Sequence, residues 1–115
     1  MAFSEIETRK YEKQVAAFVE KRRPPEHIRD ELDIGFRING QSIEIFEIRP
    51  VWLDPDEKME CPVAKATYVR TKRVWKVFWQ MRDLKWHGHP THPEIRNLKK
   101  FLELVDEDAI CCFWG

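Results

Sequence analysis

Near the end of a chain of 115 residues, His87, His89 and His92 form the pattern H-x-H-x-x-H. Alternate residues of a strand point the same way with Cβ atoms ~7 Å apart, so His87 and His89 could share a zinc ion if a carboxylate or Cys61 completed the set. The pattern is short and has no C-x-x-C partner, and Gly88 and Pro90 point to a turn. Spacing alone therefore does not define a metal site, and none is assigned. His92, beside Pro93, reads more simply as a helix-start residue.

Charge concentrates just upstream. From residue 65 to 89 the cations Lys65, Arg70, Lys72, Arg73, Lys76, Arg82 and Lys85 stand against the acid Asp83, with Trp75, Trp79 and Trp86 between them. Cations that follow phosphates and rings that stack on bases suit single-stranded nucleic acid. A core reading competes with this, because Trp75 and Trp79 share a strand face with Val77 and Met81, and such a row is more often buried than a stacking platform. Phe78 then falls on the opposite face with Lys65 and Lys76. If that face is open, it is an aromatic set in a basic surface.

Two candidate sets follow. Arg70, Lys72, Arg73 and Lys76 are the nucleic-acid candidates. Arg49, Arg82, Lys85 and His87 are the ligand-site candidates: with Glu47, they could form a polar cluster in which arginines hold an anion and His87 acts as acid or base. Cys111 and Cys112, in an apolar terminus, read as buried thiols and not as an activated thiolate, which needs an electropositive and partly exposed setting. The sequence contains no nucleotide loop, nucleophile elbow or zinc-protease motif, and its residues imply no cofactor.

The elements that position these residues are legible in part. Ser4 and Glu7 make a capping box, Tyr11, Val15, Phe18 and Val19 follow at helical spacing, and the Pro24-Pro25 pair stops a helix over 5–22. Lys21, Arg22 and Arg23 suit the negative end of its dipole. A short helical turn over 25–31 is expected next, with His27 on the surface. Leu32, Ile34, Phe36 and Ile38 alternate as a half-buried strand, and Asn39-Gly40 predicts a tight hairpin that sets Ile38 opposite Gln41 and Phe36 opposite Ile43. The apolar phase slips at Phe46, which predicts a β-bulge there. Residues 53–60 read as a polar loop.

A second hairpin over 61–81 has a four-residue loop at 70–73. It sets Tyr68 opposite Trp75, Ala66 opposite Val77 and Ala64 opposite Trp79, small against large. A turn through Arg82-Asp83 leads to a short strand over 84–89, with Leu84 and Trp86 on one face and Lys85, His87 and His89 on the other. Thr91 and Glu94 form another capping box, ahead of an amphipathic helix over 93–105 that ends at the acidic run from 106 to 108. The apolar last residues should dock on the domain. The fold class is α+β: a two-layer sandwich of a helix, a four- or five-stranded antiparallel meander and a second helix, with both helices on one sheet face.

Composition bounds the function. The chain is 43% hydrophobic and 35% charged, with 20 basic and 20 acidic residues, as expected of a soluble globular protein. Its length fits a single domain over 1–115. With no net charge, no long-range field draws the whole molecule to nucleic acid or membrane, so only a local patch can do so. No apolar run reaches the length of a signal peptide or a membrane span, so membrane association is not expected. The three cysteines, two of them adjacent, make a poor disulfide framework. Both features lead to the expectation of a cytoplasmic protein.

The run Trp79-x-x-Arg82-Asp83-Leu84-Lys85-Trp86-His87, the earlier Pro24-Pro25 with Arg29-Asp30, the segment Ile48-Arg49-Pro50-x-Trp52 and the closing Phe113-Trp114-Gly115 together resemble a family of small bacterial proteins known only as a domain of unknown function. The resemblance runs from about Pro24 to the last residue. It implies a compact bacterial cytoplasmic domain with no assigned reaction. The chain departs from the family pattern at His89, where an aromatic often stands nearby.

The leading expectation is a non-catalytic binding module for an anionic ligand or single-stranded nucleic acid, meeting the sheet face around Arg82, Lys85 and His87. One alternative is a small metal-dependent or acid/base enzyme centred on His87. Another is a structural homo-oligomer that uses exposed aromatics or an unpaired edge strand.

Overall fold

A computed structural model of the chain describes residues 3–81, 83–108 and 113–114. Helix α1, Glu5–Arg22, starts where the capping box predicts: Glu7 N donates to Ser4 Oγ (3.1 Å) and Ser4 N to Glu7 Oε1 (2.9 Å). The basic residues at its end do more than complement the dipole. Arg22 donates to Asp106 Oδ1 at 2.8 Å, and Arg23 forms a two-pronged pair with Asp33 at 2.9 and 2.8 Å, tying α1 to the second helix and to the first strand. A 3-10 turn, Glu26–Ile28, follows.

The sheet is an antiparallel meander of β1 (Asp33–Asn39), β2 (Ser42–Val51), β3 (Asp54–Val69), β4 (Val74–Gln80) and β5 (Trp86–Gly88) in spatial order, with β6 (Glu94–Ile95) also pairing with β4. Both helices cover one face. Val15 and Val19 of α1 and Phe101 and Val105 of α2 (Leu98–Glu107) pack on Ile43, Ile45, Ala64, Ala66, Trp75 and Val77. Phe3, Tyr11, Tyr68 and Trp75 close one end of this core as a ring cluster with centroids 4.9 to 6.5 Å apart.

Several expectations are corrected. The first hairpin turns at Gly40-Gln41, one residue later than expected, so Asn39 pairs with Ser42 and Ile38 with Ile43. The reason is backbone sign: Gly40 has φ +62° and Gln41 is not left-handed, the pattern of a turn with glycine at its first central position. Every partner moves by two residues, so the buried face is unchanged. The bulge at Phe46 is present but lies toward β3: β1 and β2 pair without interruption, while the shift between Ile45 and Phe46 leaves Val63 unpaired on β3. Residues 54–60, expected as loop, belong to β3 and pair with β2 to form a long arm.

The second hairpin has the expected register, including Ala64 opposite Trp79. The step after it does not. A tight turn at Arg82-Asp83 would set Trp79 against Trp86, whereas β4 ends at Gln80, β5 starts at Trp86 and Trp79 pairs with His87. Leu84 takes a left-handed backbone, φ 62°. A one-residue change flips every side chain of β5. His87 therefore shares the helix-covered face with Trp79, and Trp86 shares the other face with Phe78.

Helix α2 starts later than the 91–94 pattern implies. Glu94–Ile95 is taken up as β6 along β4, Ile95 is buried, and Asn97 becomes the N-cap, its Oδ1 accepting from Lys100 N at 2.8 Å. Past Glu107, Asp108 turns left-handed, and its carboxylate accepts from the backbone of Phe113 and Trp114, each at 3.0 Å. The acidic run thus holds the terminal segment down: Phe113 is buried, and Trp114 Nε1 donates to Val105 O at 2.8 Å. Cys61 is half-buried, while Cys111 and Cys112 lie outside the described residues.

Candidate functional site

The described residues place no helix on the second sheet face. Lys65 on β3 lies directly opposite Phe78 on β4, and Trp86 on β5 sits diagonally from Phe78, across from Gln80. Lys65 Nζ lies 5.1 Å from the Phe78 ring centroid and 4.9 Å from that of Trp86. An ammonium shared by two rings contributes ~0.5–1 kcal/mol per contact at an exposed site. It also holds both rings in place. Gly88 is the partner of Phe78, and a Cβ built there would meet no atom within 4 Å, so the outer side of that ring is open. Lys76 lies two residues from Phe78 on the same face, opposite Thr67, whose hydroxyl is 2.8 Å from that of Ser42.

Toward β1 the same face is closed by its own side chains. The Arg37 guanidinium covers Phe46 at 4.7 Å and pairs with Glu60, and Phe46 fills the space left by Gly35, where a Cβ would come within 2.9 Å of Phe46 Cε2. Phe46 is buried, while Lys65, Lys76, Phe78 and Trp86 are each half-exposed. The available aromatic surface thus lies at the β3–β5 end.

The basic loop 70–73 caps the far end of β3. Arg70 reaches Glu7 at 2.7 Å, and this guanidinium, followed by the Ser4 amide, lowers the Glu7 carboxyl to about 2. Lys72 and Arg73 are exposed, and Arg73 takes a left-handed backbone at φ 53°. Of the four nucleic-acid candidates, Lys76 stands on the open face, Lys72 and Arg73 project from the loop, and Arg70 is engaged with α1.

The ligand-site candidates lie apart. Arg49 pairs with Glu47 at 3.2 Å on β2. It is three strands across and four residues along from the row of His87, on the order of 20 Å away by strand spacing. Arg82 lies outside the described residues. Lys85 is exposed, and its backbone N donates to Asp83 Oδ1 at 3.0 Å. His87 Nε2 is 2.9 Å from Asp83 Oδ2. The Lys85 amide, and after it His87, hold the Asp83 carboxyl below its ordinary range. Asp83 thereby pins the connection into β5, and its pairing with His87 fixes the imidazole's orientation.

His89 is buried and stacks on Phe113 at 5.4 Å. Its Nδ1 accepts from His92 N at 3.0 Å and Thr91 N at 3.3 Å, which occupies the lone pair a metal would need. Burial, and then neighbouring His92, lower its pKa, against a smaller opposing effect of Asp108. His92 Nδ1 is 2.9 Å from Thr91 Oγ1. Among the described residues no group of three or more histidine, cysteine, aspartate or glutamate side chains stands close enough to hold a metal ion. No helix among them is long and apolar enough to cross a membrane.

Fold and face together define a two-layer α+β arrangement in which the described helices cover one sheet face and leave the other open. The chain belongs to the family named domain of unknown function DUF3024, whose model matches residues 3–115 and so takes in α1 as well as the sheet. No curated protein and no solved structure matches it.

Strand alternation pointed to Phe78, Lys65 and Lys76 as one set, but Trp86 joins them only through the β4–β5 register. That register depends on the left-handed Leu84, for which the sequence carries no glycine or asparagine signal.

Proposed function

We propose that the chain is a non-catalytic binding module that holds single-stranded nucleic acid on its uncovered sheet face. The observation that supports this reading is the Lys65 ammonium set between the half-exposed rings of Phe78 and Trp86, with open space beyond Phe78. A base stacked on such a ring gains ~1–3 kcal/mol whatever its identity, and a lysine beside it meets the phosphate of the same nucleotide. Lys76 continues the row toward Lys72 and Arg73 in the loop, and Lys85, with Arg82 three residues before it in sequence, follows the other end of β4. In this reading His87 and Arg49 stand apart from the platform, His87 on the reverse face and Arg49 on the arm.

The test is titration of the purified chain with short oligo-dT and oligo-rU at several salt concentrations. Contacts from three lysines release counterions with a slope of about −2 in log K against log salt. The Trp86→Ala variant should weaken binding by ~1–3 kcal/mol. Binding undetectable at low salt, or indifferent to salt, would exclude this function.

A further inference from the structure

Beyond the uncovered face, the most exposed apolar side chains lie at the far end of the molecule. Trp52 is 89% and Leu53 83% exposed, at the turn between β2 and β3. This turn is the tip of an arm: β1 ends its pairing at Ile48 and β4 at Ala64, so beyond those rows β2 and β3 have no other strand partner, and Lys58 Nζ ties the arm back by donating to Asp30 O. The ribbon past Ile48 extends roughly 13 Å at normal strand rise. Burying an indole and a leucine this exposed requires a partner surface.

The chain carries a matching surface near the base of the arm. The outer sides of α1 and α2 form a groove of about 460 Å³ with Phe18 and Leu102 in its lining, room for an indole and a leucine side chain. Lys21 and Lys99 line it as well, and neither forms an ion pair among the described residues; Arg22, paired with Asp106, closes one end, and Glu103 is an acid on the rim. The arm tip has the opposite sign, since Asp54, Asp56 and Glu57 follow Trp52-Leu53 with Lys58 after them. Those acids disfavour nucleic acid or an anionic membrane at the tip and favour a groove rimmed by lysines.

We infer that the arm is a docking element for a second copy of this chain, its Trp52-Leu53 tip seated between α1 and α2 of that copy. The arm base and the groove lie at the same end of the molecule, because Arg23 of α1 pairs with Asp33 at the start of β1, and Asp33 lies opposite Ile48. Two copies related by a two-fold axis at that end exchange tips reciprocally, which closes the assembly at a dimer. Zero net charge removes long-range repulsion between the copies.

Analytical ultracentrifugation of the full chain over a range of concentrations tests this. The expected result is a monomer–dimer equilibrium whose Kd rises at least about ten-fold, a change of ~1.4 kcal/mol, in the double variant Trp52→Ser with Leu53→Ser. The variant Lys21→Glu with Lys99→Glu should also dissociate, as should Asp54→Lys with Asp56→Lys. Mixing these two charge variants should restore a dimer, because each arm then meets a groove of opposite sign. A wild-type chain that stays monomeric at its highest soluble concentration overturns the inference. So does association that the tip variant leaves unchanged, or a mixture that does not reassociate while both variants unfold like wild type.

Discussion

The two faces of the sheet draw on the same strand and differ in what meets its aromatic residues. On one face, Trp75 is met by Phe3, Tyr11 and Tyr68 and is 2% exposed. On the other, Phe78 and its neighbour Trp86 are met by the stem and ammonium of Lys65 and remain half-exposed. The rings that meet rings are core here, while the two that meet Lys65 keep an outward surface and a positive charge beside it, unlike Phe46, which Arg37 closes over. The contrast separates aromatic residues that stabilise the fold from those available to a ligand.

Trp75→Ala should break the first side of that contrast with the largest effect, a loss of ~3–5 kcal/mol in denaturant unfolding. A loss below ~1 kcal/mol would mean that the ring cluster is not core. Gly35→Ala probes the closed part of the other face. Its Cβ must displace Phe46, so a loss of ~1–3 kcal/mol is expected, and a neutral result would show that the Arg37–Phe46 cover yields freely. Trp86→Ala should cost under about 1 kcal/mol of stability, the scale of one exposed cation–ring contact, while impairing binding. Comparable losses for Trp86→Ala and Trp75→Ala would erase the distinction between the faces.

The smallest effect concerns pH. His89 is lowered from an ordinary 6.5 by burial and then by His92, with Asp108 opposing, and its Nδ1 accepts two backbone N–H groups only when unprotonated. Its folded value lies below its unfolded one, so its contribution to stability is present above about pH 6.5 and is lost as pH falls from there through the lowered value. Thermal unfolding of wild type and His89→Gln across that window should show a steeper acid-side decline in wild type. Parallel curves would remove His89 as the cause.

Legibility in the sequence followed locality. Helix α1 was readable to both ends because each end carries its own local signal, Ser4 with Glu7 at the start and the proline pair just past the finish. The β3–β4 register was readable because Ala64 and Ala66 face the larger Trp79 and Val77 across the hairpin. Contacts distant in sequence decided the rest. The capping pattern at Thr91 and Glu94 lost to the free edge of β4, where Pro93 O accepts from Val77 N at 3.0 Å, so helix α2 waited for Asn97. The left-handed Leu84 shifted β5 by one residue. That shift moved His87 to the covered face and Trp86 to the open one, and so moved the candidate site from the histidine to Lys65, Phe78 and Trp86.

Amide and indole chemical-shift mapping during titration with a short oligo-dT tests the central claim most directly. The account predicts shifts concentrated at Lys65, Lys76, Phe78, Gly88 and the Trp86 indole, with the Trp75 indole unmoved. Shifts centred on His87 and Asp83, or spread over the helices with the Trp86 indole unchanged, would contradict it.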